Sequence, residues 1–155
     1  MHDKQPTILY VEDNPDHAYF VSRFFEKFQI ANVLHVVEDG EAALDYLFQR
    51  GDYRDPDGYP MPDLILLDLR LPKLDGLEVL RTIKTTETLL KIPVVIFSSS
   101  DAEMDVARAY ECHANSYLVK PIGFEAFSKM MESLSFYWLV WNRYPWSLEM
   151  VHAEE

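Results

Sequence analysis

The sequence predicts an α/β fold: a five-stranded, doubly wound parallel sheet with helices on both faces. Two observations predict it. Short apolar runs alternate five times with segments of helical periodicity, the pattern of repeated strand–helix units. Two of those runs, Leu64–Leu67 and Val94–Phe97, are apolar without alternation, as strands covered on both faces are.

The elements follow in order. Ile8–Val11 reads as the first strand. Asn14-Pro15 starts the first helix, with Asn as N-cap and Pro in the first turn, and Ala18, Val21, Phe25 and Phe28 form its apolar stripe. Val33–Val37 is the second strand, and Asp39-Gly40 opens a helix carrying Ala43, Leu44, Leu47 and Phe48. Arg50 to Pro62 is rich in Pro, Gly and Asp and reads as an extended surface loop. Leu64–Leu67 is the third strand, and Asp75-Gly76 opens a helix with Leu77, Leu80 and Ile83. Val94–Phe97, a helix over Asp101 to Cys112, Tyr117–Val119 and a helix from Phe124 complete the series. We expect one domain over 1–134, with an aromatic, helical extension over 135–155 that is not a domain of its own.

Composition excludes several classes of function. Of 155 residues, 48% are hydrophobic, which argues against disorder. The formal charge of −12, from 26 acidic and 14 basic residues, repels nucleic acid and anionic membranes. The single Cys112 cannot form an internal disulfide, and neither a signal core nor a membrane-length apolar run is present, so a cytoplasmic location is expected. Cys112 and the five histidines lack metal-binding spacing, and His17 and His113 read as surface or packing residues.

Five polar residues sit where apolar runs stop: Glu12 and Asp13, Asp68, Ser98 and Lys120. In a parallel α/β sheet, ligands bind beyond the carboxyl ends of the strands, so these side chains would share one crevice. Phosphate and carboxylate repel each other, and a divalent cation such as Mg²⁺ removes that repulsion. Asp13 and Asp68 would each give the ion an oxygen, with Glu12 reaching it through a water. Crowding three carboxylates should raise at least one pKa. Lys120 would pair with a phosphoryl oxygen, and Ser98 would donate a hydrogen bond to another, helped by the amides of Ser99 or Leu69. Each residue has a plain reading too: an acidic pair favours a helix N-terminus, a strand-end Asp is commonly a cap, and Ser98 and Lys120 suit ordinary loops and turns. Only their common location points to aspartyl phosphorylation.

These residues resemble the receiver domain of bacterial two-component response regulators. The likeness runs from about Thr7 to Leu134 and rests on Val11-Glu-Asp-Asn14, Leu66-Leu-Asp-Leu-Arg-Leu-Pro72 with Asp75-Gly76, Ser98, and Tyr117-Leu-Val-Lys-Pro121. It implies strand order 2-1-3-4-5, transfer of phosphate from a kinase histidine to Asp68, and Mg²⁺ ligation by Asp13, Asp68 and the main-chain carbonyl of Arg70, with Glu12 beside the ion. It further implies that Ser98 and Tyr117 move together as the switch, that Lys120 contacts the phosphoryl group, and that the Lys120–Pro121 bond is cis. Arg70 and Ser100, each two residues beyond a site residue, are expected to influence phosphate lifetime. A narrower resemblance, carried by the Arg50–Pro62 insertion and Phe136-Tyr-Trp-Leu-Val140, is to single-domain regulators of phytochrome-type histidine kinases.

No output module is expected after the receiver, so the signal would be read as a change in association. Phe136, Trp138, Trp141, Tyr144 and Trp146 are candidates for a homodimer interface, the alternative being that the extension folds back on its own subunit. The protein is expected to be a phosphoacceptor and not an enzyme with a separate substrate. An aspartyl-phosphate-forming phosphohydrolase would place a second acid where Arg70 stands, and a flavodoxin-like carrier would need a Gly/Ser/Thr-rich loop where Glu12-Asp-Asn-Pro15 lies. A phosphate sink, and a degenerate receiver that only binds protein, remain as alternatives.

Overall fold

The computed structural model describes residues 6–27, 33–135 and 137. Strands β1 (Thr7–Val11), β2 (Val33–Val37), β3 (Leu64–Leu67), β4 (Val94–Ser98) and β5 (Ser116–Val119) form one sheet with every pair parallel. Their order is β2-β1-β3-β4-β5, as the resemblance implies. Helices α1 (Pro15–Lys27), α2 (Gly40–Leu47), α3 (Gly76–Thr85), α4 (Glu103–Glu111) and α5 (Phe124–Ser135) connect and follow the strands.

Alternation along each strand divides the core into two. Leu9, Val11, Ile65, Leu67, Val94 and Ile96 pack with residues of α2, α3 and α4. Ile8, Tyr10, Leu64, Leu66, Val95 and Phe97 pack with residues of α1 and α5. Strands β1, β3 and β4 are buried along their whole length, which is why β3 and β4 read as continuous apolar runs.

The helix starts behave as their sequences suggest. Asn14 Oδ1 accepts from the amides of Asp16 (2.9 Å) and His17 (3.3 Å), and Asp39 caps α2 through the Ala42 amide (2.7 Å). Gly40 and Gly76 clamp the loop after β3 from two sides. A Cβ on Gly40 would lie 2.1 Å from the Leu74 carbonyl oxygen, and one on Gly76 would lie 2.3 Å from the Asp68 carbonyl oxygen. Only glycine lets backbone approach that closely.

Four expectations need adjustment. Helix α2 ends at Leu47, so Phe48 is its C-cap, 37% exposed beneath the Arg50 guanidinium, while Tyr46 is fully buried in its place. The 50–62 segment is more than a surface loop. It contains a 3₁₀ turn at Gly51–Tyr53, and the Tyr46 hydroxyl donates to the Pro60 carbonyl at 2.8 Å. The rings of Tyr53 and Tyr59 stack around Tyr46 and, through Tyr59, against His35, giving the segment an aromatic anchor that its polar composition hides. The Lys120–Pro121 bond is trans, for no peptide bond among the described residues is cis. The two isomers of an X–Pro bond differ by only about 0.5–1 kcal/mol, so the Lys-Pro pair alone does not set the choice. Finally, Phe28 of the expected α1 stripe lies outside the described residues, as do Phe136, Trp138, Trp141, Tyr144 and Trp146 of the extension. Among the described residues, no helix is long and apolar enough to cross a membrane.

Candidate active site

The parallel hydrogen-bond ladder runs one residue past the strands and fixes three site backbones. Glu12 N donates to Val37 O (3.0 Å), Asp68 N to Val11 O (3.1 Å) and Lys120 N to Ser98 O (2.7 Å). Extending the strand alternation, Glu12, Asp68 and Lys120 fall on the parity of Tyr10, Leu66 and Leu118, the α1/α5 side. Ser98 and Tyr117 fall on the other parity, with Ile96 and the α2/α3/α4 cluster. The charged trio and the Ser98–Tyr117 pair thus belong to opposite faces that meet at one edge.

Lys120 is the hub. Its side chain is 4% exposed, and its ammonium donates to Asp68 Oδ2 (2.9 Å), to Glu12 Oε1 and to His17 Nδ1 (3.0 Å). An ammonium has three donors and no acceptor, so all three are satisfied and the imidazole contributes a lone pair from Nδ1. The ring of Phe97 lies 5.6 Å below the charge. Glu12 is satisfied on both oxygens, accepting from the Tyr10 hydroxyl (3.0 Å) and Lys120 on one and from the Asn14 amide (3.2 Å) on the other. Asp68 Oδ1 accepts from the Arg70 amide at 3.0 Å.

Burial sets the electrostatics. Glu12 is pushed above the usual carboxylate range chiefly by burial, with the Asp68 charge adding a smaller push and Lys120 opposing both. The expectation of a raised carboxylate holds, but desolvation outweighs crowding as its cause. The Tyr10 hydroxyl is pushed far up by burial and by the Glu12 carboxylate, so it stays a donor at any ordinary pH.

Glu12, Asp13 and Asp68 each offer a ligand atom, all within 4.8 Å of one another; the first and last are buried and Asp13 is exposed. An all-carboxylate oxygen set fits a hard divalent cation of the Mg²⁺ or Mn²⁺ kind, and Asp13 gives it a route from solvent. Both oxygens of Glu12 and both of Asp68 already accept hydrogen bonds, so an ion held here would share those oxygens with Lys120, Tyr10 and the amides of Asn14 and Arg70.

The remaining predicted residues line the same edge. Ser98 is fully buried at the end of β4, with its Oγ accepting from the Ser100 amide (3.3 Å). Tyr117 is half-buried; its hydroxyl donates to the Ser100 carbonyl (2.8 Å), and burial raises its pKa. The Arg70 guanidinium reaches across to Asp105 on α4 (2.9 Å).

Against known proteins, the model of the response regulator receiver domain matches residues 8–132. The chain belongs to the receiver family. This receiver is 46% identical over 138 residues to the probable methanogenesis regulatory protein FilR2 of Methanothrix harundinacea, covering 89% of this chain and 86% of that one. It is 41% identical over 132 residues to the response regulator Rcp1 of Synechocystis, covering 85% and 88% respectively. The Mn²⁺-bound structure of Rcp1 superposes with a TM-score of 0.84 over 90% of this chain and 99% of that one, at 39% identity. The phosphorylated cyanobacterial phytochrome response regulator RcpA gives 0.86 over 92% and 99%, at 35% identity.

Three participants escape sequence reading: Tyr10, His17 and Asp105. Tyr10 carries a signal, since it lies two residues before Glu12 on one strand face. His17 is adjacent to the site only because of how α1 lies over the sheet, and Asp105 only because α4 begins beside the loop after β3. Neither placement leaves a mark in spacing.

Proposed function

We propose that this receiver is a single-domain regulator that accepts a phosphoryl group on Asp68 from a sensor histidine kinase of the phytochrome type. The observation that carries the proposal is that Asp68, at the end of the central strand between β1 with Glu12 and Asp13 and β4 with Ser98, contacts the Lys120 ammonium and belongs to the carboxylate cluster. An Asp68 carboxylate oxygen attacks phosphorus, the bond from phosphorus to the donor imidazole breaks with its electron pair left on nitrogen, and a mixed anhydride remains. Asp13, Asp68 and the main-chain carbonyl of Arg70, with Glu12 behind them, would hold a divalent cation such as Mg²⁺, which would offset the charge that keeps carboxylate and phosphoryl oxygens apart. Lys120 exchanges its contact with Asp68 Oδ2 for one with a phosphoryl oxygen, keeping its bond to Glu12. Ser98 turns its hydroxyl proton to a second oxygen, and Tyr117 follows it. The chemistry is self-catalysed and slow, and the product is a signal.

Similarity to RcpA, named as a phytochrome response regulator, supports a light-sensing donor kinase, and the setting proposed is the cytoplasm. The higher identity to a protein named as a methanogenesis regulator favours a second reading, in which the donor kinase answers to a metabolic cue. Phosphotransfer from a purified phytochrome kinase separates the two. For output, we propose a homodimer formed through Phe136, Trp138, Trp141, Tyr144 and Trp146, with neither nucleic acid nor membrane as partner; light scattering on a chain ending at Leu134 should then give a monomer, and an unchanged dimer mass rejects this.

The reaction is tested by intact mass after incubation with a small phosphodonor. Wild type should gain one phosphoryl group with a divalent cation and none with a chelator, and Asp68→Asn should gain none. Full uptake by Asp68→Asn refutes the proposal.

A further inference from the structure

The loop after β4 and the loop after β3 are tied to helix α4 through one carboxylate. Asp105, in the first turn of α4, accepts on Oδ2 from the Ser100 hydroxyl (2.6 Å) and from Arg70 Nη2 (2.9 Å). Ser100 is fully engaged: its amide donates to Ser98 Oγ (3.3 Å), its carbonyl accepts from Tyr117 (2.8 Å), and its hydroxyl accepts from the Ala102 amide (3.3 Å). Asp105 therefore contacts, at one remove, both residues expected to switch.

Arg70 connects this cluster to the reacting carboxylate. Its amide lies 3.0 Å from Asp68 Oδ1, yet its guanidinium is drawn away to Asp105. A phosphoryl group on Asp68 brings about two negative charges within the reach of the same side chain. The guanidinium would then have two anions drawing on it, Asp105 and the phosphoryl group.

We propose that Asp105 is a positioning residue: it holds Arg70 and Ser100 in the arrangement of the unphosphorylated receiver and competes with the phosphoryl group for Arg70. This rests on Asp68 as the phosphoacceptor. A contact made in one of two states opposes the other by its own free energy, so Asp105 biases the receiver toward its resting form. Arg70 is 74% exposed along its side chain, so the bias is modest and sensitive to salt.

The test is equilibrium binding of beryllium fluoride, a stable mimic of a phosphoryl group on aspartate, to the full chain with a divalent cation, followed by calorimetry. Asp105→Asn keeps an oxygen for Ser100 but loses the charge that holds Arg70, and it should bind about two- to fivefold tighter, the range of one partly exposed charge contact. Adding Arg70→Ala should abolish the gain, and high salt should narrow it, neither of which a merely structural role for Asp105 would produce. Equal or weaker binding by Asp105→Asn overturns the proposal, as does a gain that survives Arg70→Ala. Failure of wild type to bind the mimic removes the phosphoacceptor reading, and this inference with it.

Discussion

Strand β3 has a buried aspartate at each end, and the two differ in what holds the second carboxylate oxygen. Asp63 is 7% exposed and Asp68 is 6% exposed. Asp63 is fixed by main chain: its Oδ2 accepts from the Thr7 amide (2.8 Å) and its own amide donates to the Thr7 carbonyl (2.7 Å). Asp68 has the same main-chain hold, through the Arg70 amide on Oδ1 (3.0 Å) and its own amide to Val11 O (3.1 Å), but its Oδ2 accepts from a side-chain ammonium that is shared with Glu12 and His17. A backbone amide cannot leave its place, whereas an ammonium on a four-carbon stem can transfer to a new oxygen. The same residue type at the same burial is therefore a staple at one edge of the sheet and the proposed phosphoacceptor at the other.

Removing the shared ammonium should have the largest effect. Lys120→Met leaves Glu12 and Asp68 buried without a counter-charge and should lower stability by about 3–5 kcal/mol at neutral pH, measured by denaturant unfolding. A loss below about 1 kcal/mol would mean that the two carboxylates do not depend on Lys120.

Next in size, the two aspartates should respond differently. Asp63→Ala leaves the Thr7 amide without its partner and should cost about 1–3 kcal/mol while phosphoryl uptake persists. Asp68→Asn removes one of two carboxylates competing for Lys120 and should leave stability unchanged or raised while uptake is lost. Equal losses of stability in both variants would erase the distinction between the edges.

Metal sharpens the contrast through pH. The raised Glu12 pKa means that folded, metal-free protein holds this proton more tightly than the unfolded chain does. The stability this gives is complete below the unfolded value, about 4.3, and is lost as pH rises through the higher folded value. A divalent cation needs ionised carboxylates, so it should raise the thermal midpoint more at pH 7.5 than at pH 5, and Glu12→Gln should flatten that dependence. A metal effect independent of pH in wild type would contradict it.

The smallest effect lies away from both ends of β3. His35 Nε2 is buried with no hydrogen-bond partner among the described residues, and burial lowers its pKa below the ordinary value near 6.5. Stability tied to His35 is thus full above that value and falls as pH drops below it. Between pH 7 and 5.5, wild type should lose more stability than His35→Gln; parallel curves would show that the acid response comes from the carboxylates alone.

How much of this was legible in the sequence depends on how far each contact lies from a strand. Glu12, Asp13, Asp68, Ser98 and Lys120 were readable because parallel strands align their ends, so position along the chain translates into position in space. The ladder bonds at Glu12, Asp68 and Lys120 are that translation made physical. His17 and Asp105 were not readable, because helix placement is set by packing of whole faces, which one residue's spacing does not record. Tyr46 is not among the apolar residues read for α2, yet its ring is fully buried and its hydroxyl anchors the 50–62 segment through Pro60. Gly40 and Gly76 were visible as helix openers, though the close backbone approaches that require them were not.

The most direct measurement is to locate the acyl phosphate itself. After phosphorylation with a small donor and a divalent cation, borohydride reduces the mixed anhydride to an alcohol, and peptide sequencing by mass finds the converted residue. Conversion at position 68 alone is the predicted result. Conversion at Asp13 or Asp63, or at no aspartate when the intact mass shows a phosphoryl group, would contradict the assignment of the two edges.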